Sequence, residues 1–146
     1  MSERRGALLI GLDLGTTALK CAAYSVDGKL VASSTREYSL LTPAANVVEV
    51  APSTYWNEYV EAVHELLAHP DVEASDVRAI GISAQGETLI PVQRDGVPAR
   101  NAIVWLDSRA LAESDELAGH FTEQHLYEVT GQPSMLPAWP AAKVLW

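Results

Sequence analysis

Gly11-Leu12-Asp13-Leu14-Gly15-Thr16-Thr17-Ala18-Leu19-Lys20 carries the fold of this chain. Ala7-Leu8-Leu9-Ile10 precedes it and Cys21-Ala22-Ala23-Tyr24 follows, both apolar and strand-like. A carboxylate, a glycine and two threonines therefore sit in a tight turn between two expected strands. Gly15 has no Cβ, so a ligand can approach the backbone closely. Thr16 and Thr17 add hydroxyl donors, and successive N–H groups in such a turn form an anion-binding nest. Asp13 would repel a phosphate unless a hydrated divalent cation stood between them. The alternative is a hairpin whose threonines satisfy their own backbone, and the stretch alone leaves both readings open. The G-x-x-x-x-G-K-[ST] spacing is absent, so this is not a P-loop.

Outward from the turn, Ala7 to Leu12 reads as a buried strand and Leu19 to Val26 as a second. Asp27-Gly28 is a two-residue hairpin signal leading to a third strand, Leu30 to Leu40. Three strands in a meander exclude a Rossmann opening, which needs a helix after the first strand. Pro43 to Pro52 reads as a loop, and Ser53 is placed to cap a helix. Trp56, Tyr59, Val60, Val63, Leu66 and Leu67 make its apolar stripe, while Asn57, Glu58, Glu61 and Glu65 face water. Pro70 stops it. Val77 to Ser83 is almost wholly apolar, which predicts a central strand covered on both faces. Leu89 to Gln93 and Ala102 to Trp105 read as a strand pair around Asp95-Gly96. Arg109 to Phe121 reads as helical, Gly131-Gln132-Pro133 as a break, and Ala138 to Trp146 as the start of a helix.

Two further clusters carry polar chemistry. Gly81-Ile82-Ser83-Ala84-Gln85-Gly86-Glu87-Thr88 lies at the carboxyl end of the expected fourth strand, where ligand sites collect in open sheets. Gln85 and Glu87 offer the paired donors and acceptors that a polyol needs; the alternative is a solvated loop. In Trp105-Leu106-Asp107-Ser108-Arg109, the indole can stack on the C–H face of a sugar. Asp107 and Arg109 can pair with each other or with a substrate. The plainer reading of Asp107 is a helix cap, while Trp105 is left open between a core residue and a stacking face. His64, His69, His120 and His125 show no metal-ligand spacing, and Cys21 reads as a small core residue.

Composition bounds the rest. A chain of 146 residues suits one domain. The hydrophobic share of 48% fits a globular protein. A formal net charge of −9 opposes nonspecific nucleic-acid binding. It also means that a bound nucleotide must be held by local dipoles, magnesium and a few cations. A single cysteine permits no intrachain disulfide and suits a reducing compartment. Met1-Ser2-Glu3-Arg4-Arg5 leads into too short an apolar run for a signal peptide, and no stretch approaches the ~20 apolar residues of a membrane span. The expectation is a cytoplasmic protein with no membrane or nucleic-acid partner.

In order and separation these clusters resemble the N-terminal part of the FGGY carbohydrate kinases, which include glycerol kinase, xylulokinase and gluconokinase. Ile10 to Thr17 resembles the family's first phosphate motif, and Ile80 to Thr88 its substrate strand and loop. Ala102 to Arg109 resembles its W-x-D-x-R segment. Thr130-Gly131-Gln132-Pro133 with Lys143-Val144-Leu145-Trp146 resembles its T-G-x-P…K-L-L-W segment.

The resemblance implies an α/β, ribonuclease H-like domain of the actin/hexokinase ATPase type, with a mixed sheet flanked by helices and truncated at its C-terminal end. The implied reaction is ATP-dependent phosphorylation of a sugar or polyol, with ATP and Mg2+ as cofactors. Asp13 would orient the hydrated magnesium. Gly15, Thr16, Thr17 and Lys20 would line the ATP phosphates. Gln85, Glu87, Trp105 and Asp107 would contact the acceptor. Glycerol kinase carries Gln-Arg-Glu-Thr where this chain has Gln85-Gly86-Glu87-Thr88, and xylulokinases carry Gln-Met-His-Gly. Gly86 leaves room, which suggests a larger sugar or sugar alcohol. By the same resemblance, residues 1–146 are a partial N-terminal domain. The catalytic base and the C-terminal nucleotide-binding domain would lie beyond Trp146, and the fragment alone would be inactive. Its last helix would expose Val144, Leu145 and Trp146, a patch that invites association into a homodimer. The rival readings are a noncatalytic sugar- or nucleotide-binding module of the same superfamily and a structural actin-like protein.

Overall fold

The computed structural model describes residues 6–146. The signal-peptide reading of Met1 to Arg5 lies outside the described residues. The chain divides into two compact units, where length suggests one. The first runs up to Ser39 and resumes over Ser53–Gln85; the second comprises Leu40–Pro52 and Gly86–Trp146.

In the first unit, β1 (Leu8–Leu14), β2 (Ala18–Ser25) and β3 (Leu30–Glu37) form the expected antiparallel meander. The β2–β3 connection differs from the two-residue turn expected from Asp27-Gly28. Ser25 N–H donates to the Lys29 carbonyl at 2.9 Å across a three-residue loop, and Gly28 takes φ +86°. Helix α1 (Pro52–Leu67) follows, then a single 3-10 turn (Ala74–Asp76) and β5 (Val77–Ala84). Strand β5 runs parallel to β1, so the sheet order is β3-β2-β1-β5.

One sheet face is covered. Leu8, Ile10 and Leu12 from β1 and Leu19, Cys21 and Ala23 from β2 alternate onto it, against Ala62 and Leu66 of α1. Each such large apolar side chain contributes about 1.5–3 kcal/mol on burial. Arg36 Nε reaches Glu58 at 3.3 Å and Ser34 Oγ donates to Glu65 at 2.5 Å, fixing α1 over β3.

The structure differs from the sequence expectation at three places. Helix α1 begins at Pro52, whose fixed φ suits a first helical position, so Ser53 lies inside the first turn instead of capping it. The buried side of α1 is Tyr55, Ala62 and Leu66, and Trp56, expected on the apolar stripe, is 65% exposed. Strand β5 is at the edge of the sheet, not its centre, and Ile80 and Ile82 are exposed. Its apolar composition states what such a strand can bury, not which neighbours this chain supplies.

In the second unit, β4 (Glu49–Val50) pairs antiparallel with β6 (Ala102–Ile103). Leu89, expected to open a strand, makes only an isolated bridge to Ile103. Pro91 has no N–H with which to extend that ladder. Helix α2 (Leu111–His120) and helix α4 (Pro140–Leu145) match expected helices at trimmed ends. Helix α3 (Glu123–Thr130) is additional. Thr122 caps it by accepting from the His125 N–H, and Gly131 ends it at φ +75°. No helix among the described residues is long and apolar enough to cross a membrane.

Candidate functional site

The turn between β1 and β2 closes on a residue that leaves no room for a side chain. Gly15 N–H donates to the Ala18 carbonyl at 3.0 Å. A Cβ on Gly15 would meet that same oxygen at 2.9 Å, so the tight closure requires glycine. Thr16 and Thr17 form the tip. Tyr38 holds it from outside the hairpin: its N–H donates to the Thr17 carbonyl at 3.0 Å, and its hydroxyl donates to the Gly15 carbonyl. Asp13 and Lys20 stand directly opposite each other in the β1–β2 ladder, on the uncovered sheet face. They line an open concavity of about 540 Å³ with Gly11, Gly81, Ile82 and Ser83. Gly15, Thr16 and Thr17 are not among its lining residues.

Gln85 extends the parallel pairing of β1 and β5, its N–H donating to the Leu14 carbonyl at 2.8 Å. Its side-chain amide is half-committed. Nε2 donates to the Tyr55 hydroxyl at 2.8 Å, while Oε1 is buried without a partner. Such an orphan costs about 1–3 kcal/mol, which a ligand hydroxyl could recover. The Tyr55 ring meets the Tyr38 ring edge-on, centroids 5.6 Å apart. Burial, with smaller contributions from Tyr55 and Asp13, pushes the Tyr38 phenol up to about 12, so it stays a proton donor at neutral pH.

In the second unit, Glu87 is exposed and holds φ +64°, a left-handed conformation that non-glycine residues adopt at a cost. Trp105 is 38% exposed, and its N–H donates to Thr88 Oγ1 at 3.1 Å. It is therefore not a core tryptophan. Asp107 is fully buried and does not cap α2, whose N-cap is Ala110. Its oxygens take Arg109 Nε at 2.9 Å, Arg109 Nη2 at 2.6 Å and the Val48 N–H at 2.6 Å. Burial pushes its carboxyl up, but the bonds from Arg109 and Val48 outweigh that and hold it below the usual carboxylate range. Its visible role is to fix the strand-to-helix corner.

Several contacts in this unit are not legible in the sequence. Glu49 accepts from Arg100 at 3.0 Å, Asn101 at 3.0 Å and Arg109 at 2.8 Å. The Trp146 ring lies under the Arg100 and Arg109 guanidinium groups at 4.7 and 4.9 Å, so its exposed indole is not idle. Lys143 is buried and donates to the Val104 carbonyl at 2.9 Å. Tyr38 and Tyr55 read in sequence only as a strand end and a helix residue.

Comparison with known proteins places this geometry. A family model for the FGGY family of carbohydrate kinases, N-terminal domain, matches residues 8–146. The glycerol kinase of Shewanella pealeana is 36% identical over 139 residues, covering 94% of this chain and 28% of that protein. A ligand-bound xylulose kinase from Lactobacillus acidophilus superposes with a TM-score of 0.85 at 31% identity, covering 96% of this chain and 28% of that one. A glycerol kinase from Plasmodium falciparum, solved with ADP, shares the fold with a TM-score of 0.81 at 24% identity, over 99% of this chain and 29% of that one. The chain thus spans little more than a quarter of the length of the relatives it matches. Its mixed α/β sheet is the ribonuclease H-like sheet of those neighbours. With a family match over nearly its whole length, the chain belongs to the FGGY family of carbohydrate kinases and carries the N-terminal domain.

Proposed function

We propose that the full-length protein transfers a phosphoryl group from ATP to a hydroxyl of a small sugar or polyol. The observation that carries this is the Gly15 turn with Asp13 and Lys20 paired beside it over an open concavity. Asp13 is a lone carboxylate there, and no group of three metal-ligating side chains occurs among the described residues. That donor set suits magnesium, which keeps several waters and takes one or two carboxylates alongside phosphate oxygens. The ATP–magnesium complex supplies the transferable phosphoryl group and charge neutralisation when bound.

The chain's own residues position and stabilise. Asp13 orients water around the cation, Lys20, Thr16 and Thr17 offset phosphate charge, and Gly15, whose own N–H closes the turn onto Ala18, lets the phosphates approach the backbone. The Gln85 amide and the Glu87 carboxylate hold acceptor hydroxyls, and Trp105 offers a stacking face. Asp107 acts behind Trp105 by fixing Arg109. The acceptor oxygen forms the new P–O bond, the bond to ADP breaks, and the hydroxyl proton passes to a base outside residues 1–146. Gly86 adds no side chain beside Gln85 and Glu87, which leaves room for acceptors larger than glycerol. The reading includes a cytoplasmic enzyme, with residues 1–146 forming part of an N-terminal domain.

The test is a panel of pentuloses, hexuloses, polyols and gluconate, assayed with ATP. The full-length protein is expected to phosphorylate one class, and residues 1–146 none. Sugar binding without turnover by the full-length protein would instead favour a noncatalytic binding module.

A further inference from the structure

Tyr38 and Tyr55 lie between the Gly15 turn and the Gln85 amide. At one end, the Tyr38 hydroxyl donates to the carbonyl of Gly15, and the Tyr38 N–H donates to Thr17 at 3.0 Å. At the other, the Tyr55 hydroxyl accepts from Gln85 Nε2 at 2.8 Å. The two rings meet at 82° with centroids 5.6 Å apart, an edge-to-face pair. Tyr55 is buried on the inner side of α1 and cannot swing away from Gln85 without opening the core. The main chain repeats the connection, since Gln85 N–H donates to Leu14, the residue before Gly15.

We infer that Tyr38 and Tyr55 are positioning residues that set the Gln85 amide relative to the Gly15 turn. This rests on the proposed kinase function, in which Gln85 meets the acceptor and the turn meets phosphate. Tyr55 fixes one amide atom and leaves the other, buried and unpartnered, for an acceptor hydroxyl. A hydroxyl both donates and accepts, so the relay does not depend on which way the amide faces. Tyr38 supplies the rigid contact that keeps the turn in register with that amide. The edge-to-face contact of the two rings makes the spacing between the groups a property of packing and not of loop conformation.

The experiment uses the full-length protein with its best acceptor. Tyr55→Phe keeps the ring pair and removes the bond to Gln85. It is expected to raise the acceptor KM about fivefold, with the ATP KM unchanged, the loss of one hydrogen bond. In a Gln85→Met background the same change is expected to have no further effect. Tyr38→Phe is expected to raise the ATP KM instead. An unchanged acceptor KM in Tyr55→Phe, or an equal rise of both KM values, would overturn the relay. So would a full Tyr55→Phe effect in the Gln85→Met background. A wild-type protein that phosphorylates no acceptor would overturn the kinase reading itself, and the relay with it.

Discussion

Arg109 grips Asp107 from two residues away. Its Nε lies 2.9 Å from both carboxylate oxygens, and its Nη2 lies 2.6 Å from Oδ2. Both side chains are buried, and Glu49 and the Trp146 ring complete the surroundings of the guanidinium. The pair turns the chain sharply between β6 and α2, which is how Trp105 comes to stand exposed just before it.

Asp107→Asn leaves Arg109 with Glu49 as its remaining carboxylate, 2.8 Å away. Removing one member of a buried pair costs about 3–5 kcal/mol, and the retained Glu49 puts this change near 3 kcal/mol. Urea denaturation should read that loss. The folded-state pKa of Asp107 is depressed below its ordinary 3.8. The stability it contributes is therefore present above 3.8 and lost as pH falls through the lower folded value. The Asn variant should show a shallower fall in stability through that acid range. Identical acid limbs would remove Asp107 from the account.

Lys143 works at the same corner from α4. Its ammonium donates to the Val104 carbonyl at 2.9 Å and lies 3.4 Å from that of Trp105. Lys143→Met leaves these carbonyls without that donor and should cost about 1–3 kcal/mol at neutral pH. Burial lowers the lysine pKa below 10.5 in the folded protein. The unfolded chain then binds more protons in the window between the lowered value and 10.5, so this group favours folding increasingly as pH rises through it. The Met variant lacks that gain. The gap in melting temperature between the two proteins should widen with pH in that window. Tyrosine titration is common to both and cancels in the difference. A constant gap would show that Lys143 does not titrate as an isolated buried group.

The meander was legible because alternation, glycine turns and strand propensity all act locally. Leu8, Ile10 and Leu12 alternate as they must, and Gly15 closes the turn the sequence marks. The edge position of strand β5 is not legible locally, because an apolar run reports burial capacity while edge or centre is decided by long-range pairing. Trp56 was misplaced for a similar reason. A helical stripe is broad, and the sheet selected the Tyr55 side of it. Asp107 reads as a cap in the sequence because capping is local, whereas its partner Val48 requires a fold that brings residue 48 to residue 107. Tyr38 and Tyr55 carried no signal, since a tyrosine's hydroxyl partner cannot be read from spacing.

Strand β5 makes a further expectation concrete. Ile80 is 47% exposed and Ile82 is 70% exposed, on a strand paired along only one edge. Its remaining edge offers unpaired backbone groups beside apolar side chains, a template for another chain. Residues 1–146 alone should self-associate as concentration rises, with a weight-average mass above that of the monomer by sedimentation. Ile82→Lys places a charge on this edge and should restore the monomer. A wild-type fragment that stays monomeric at high concentration would count against this account of β5.

Asp13 gives the most direct test of the phosphate turn. It is exposed, faces Lys20 across the ladder, and shares the open concavity with it. Its side chain makes no contribution to the buried core, so Asp13→Asn should fold with wild-type stability to within about 0.5 kcal/mol. In the full-length protein the same change removes the charge that orients water around the cation. Turnover should fall by about a hundredfold or more, in the range of other losses of preorganised electrostatic groups. The dependence of rate on magnesium concentration should shift upward, while the acceptor KM stays near its wild-type value, because Gln85 and Glu87 are untouched. A rate close to wild type, with unaltered magnesium dependence, would take Asp13 out of the mechanism and leave the Gly15 turn as a structural hairpin.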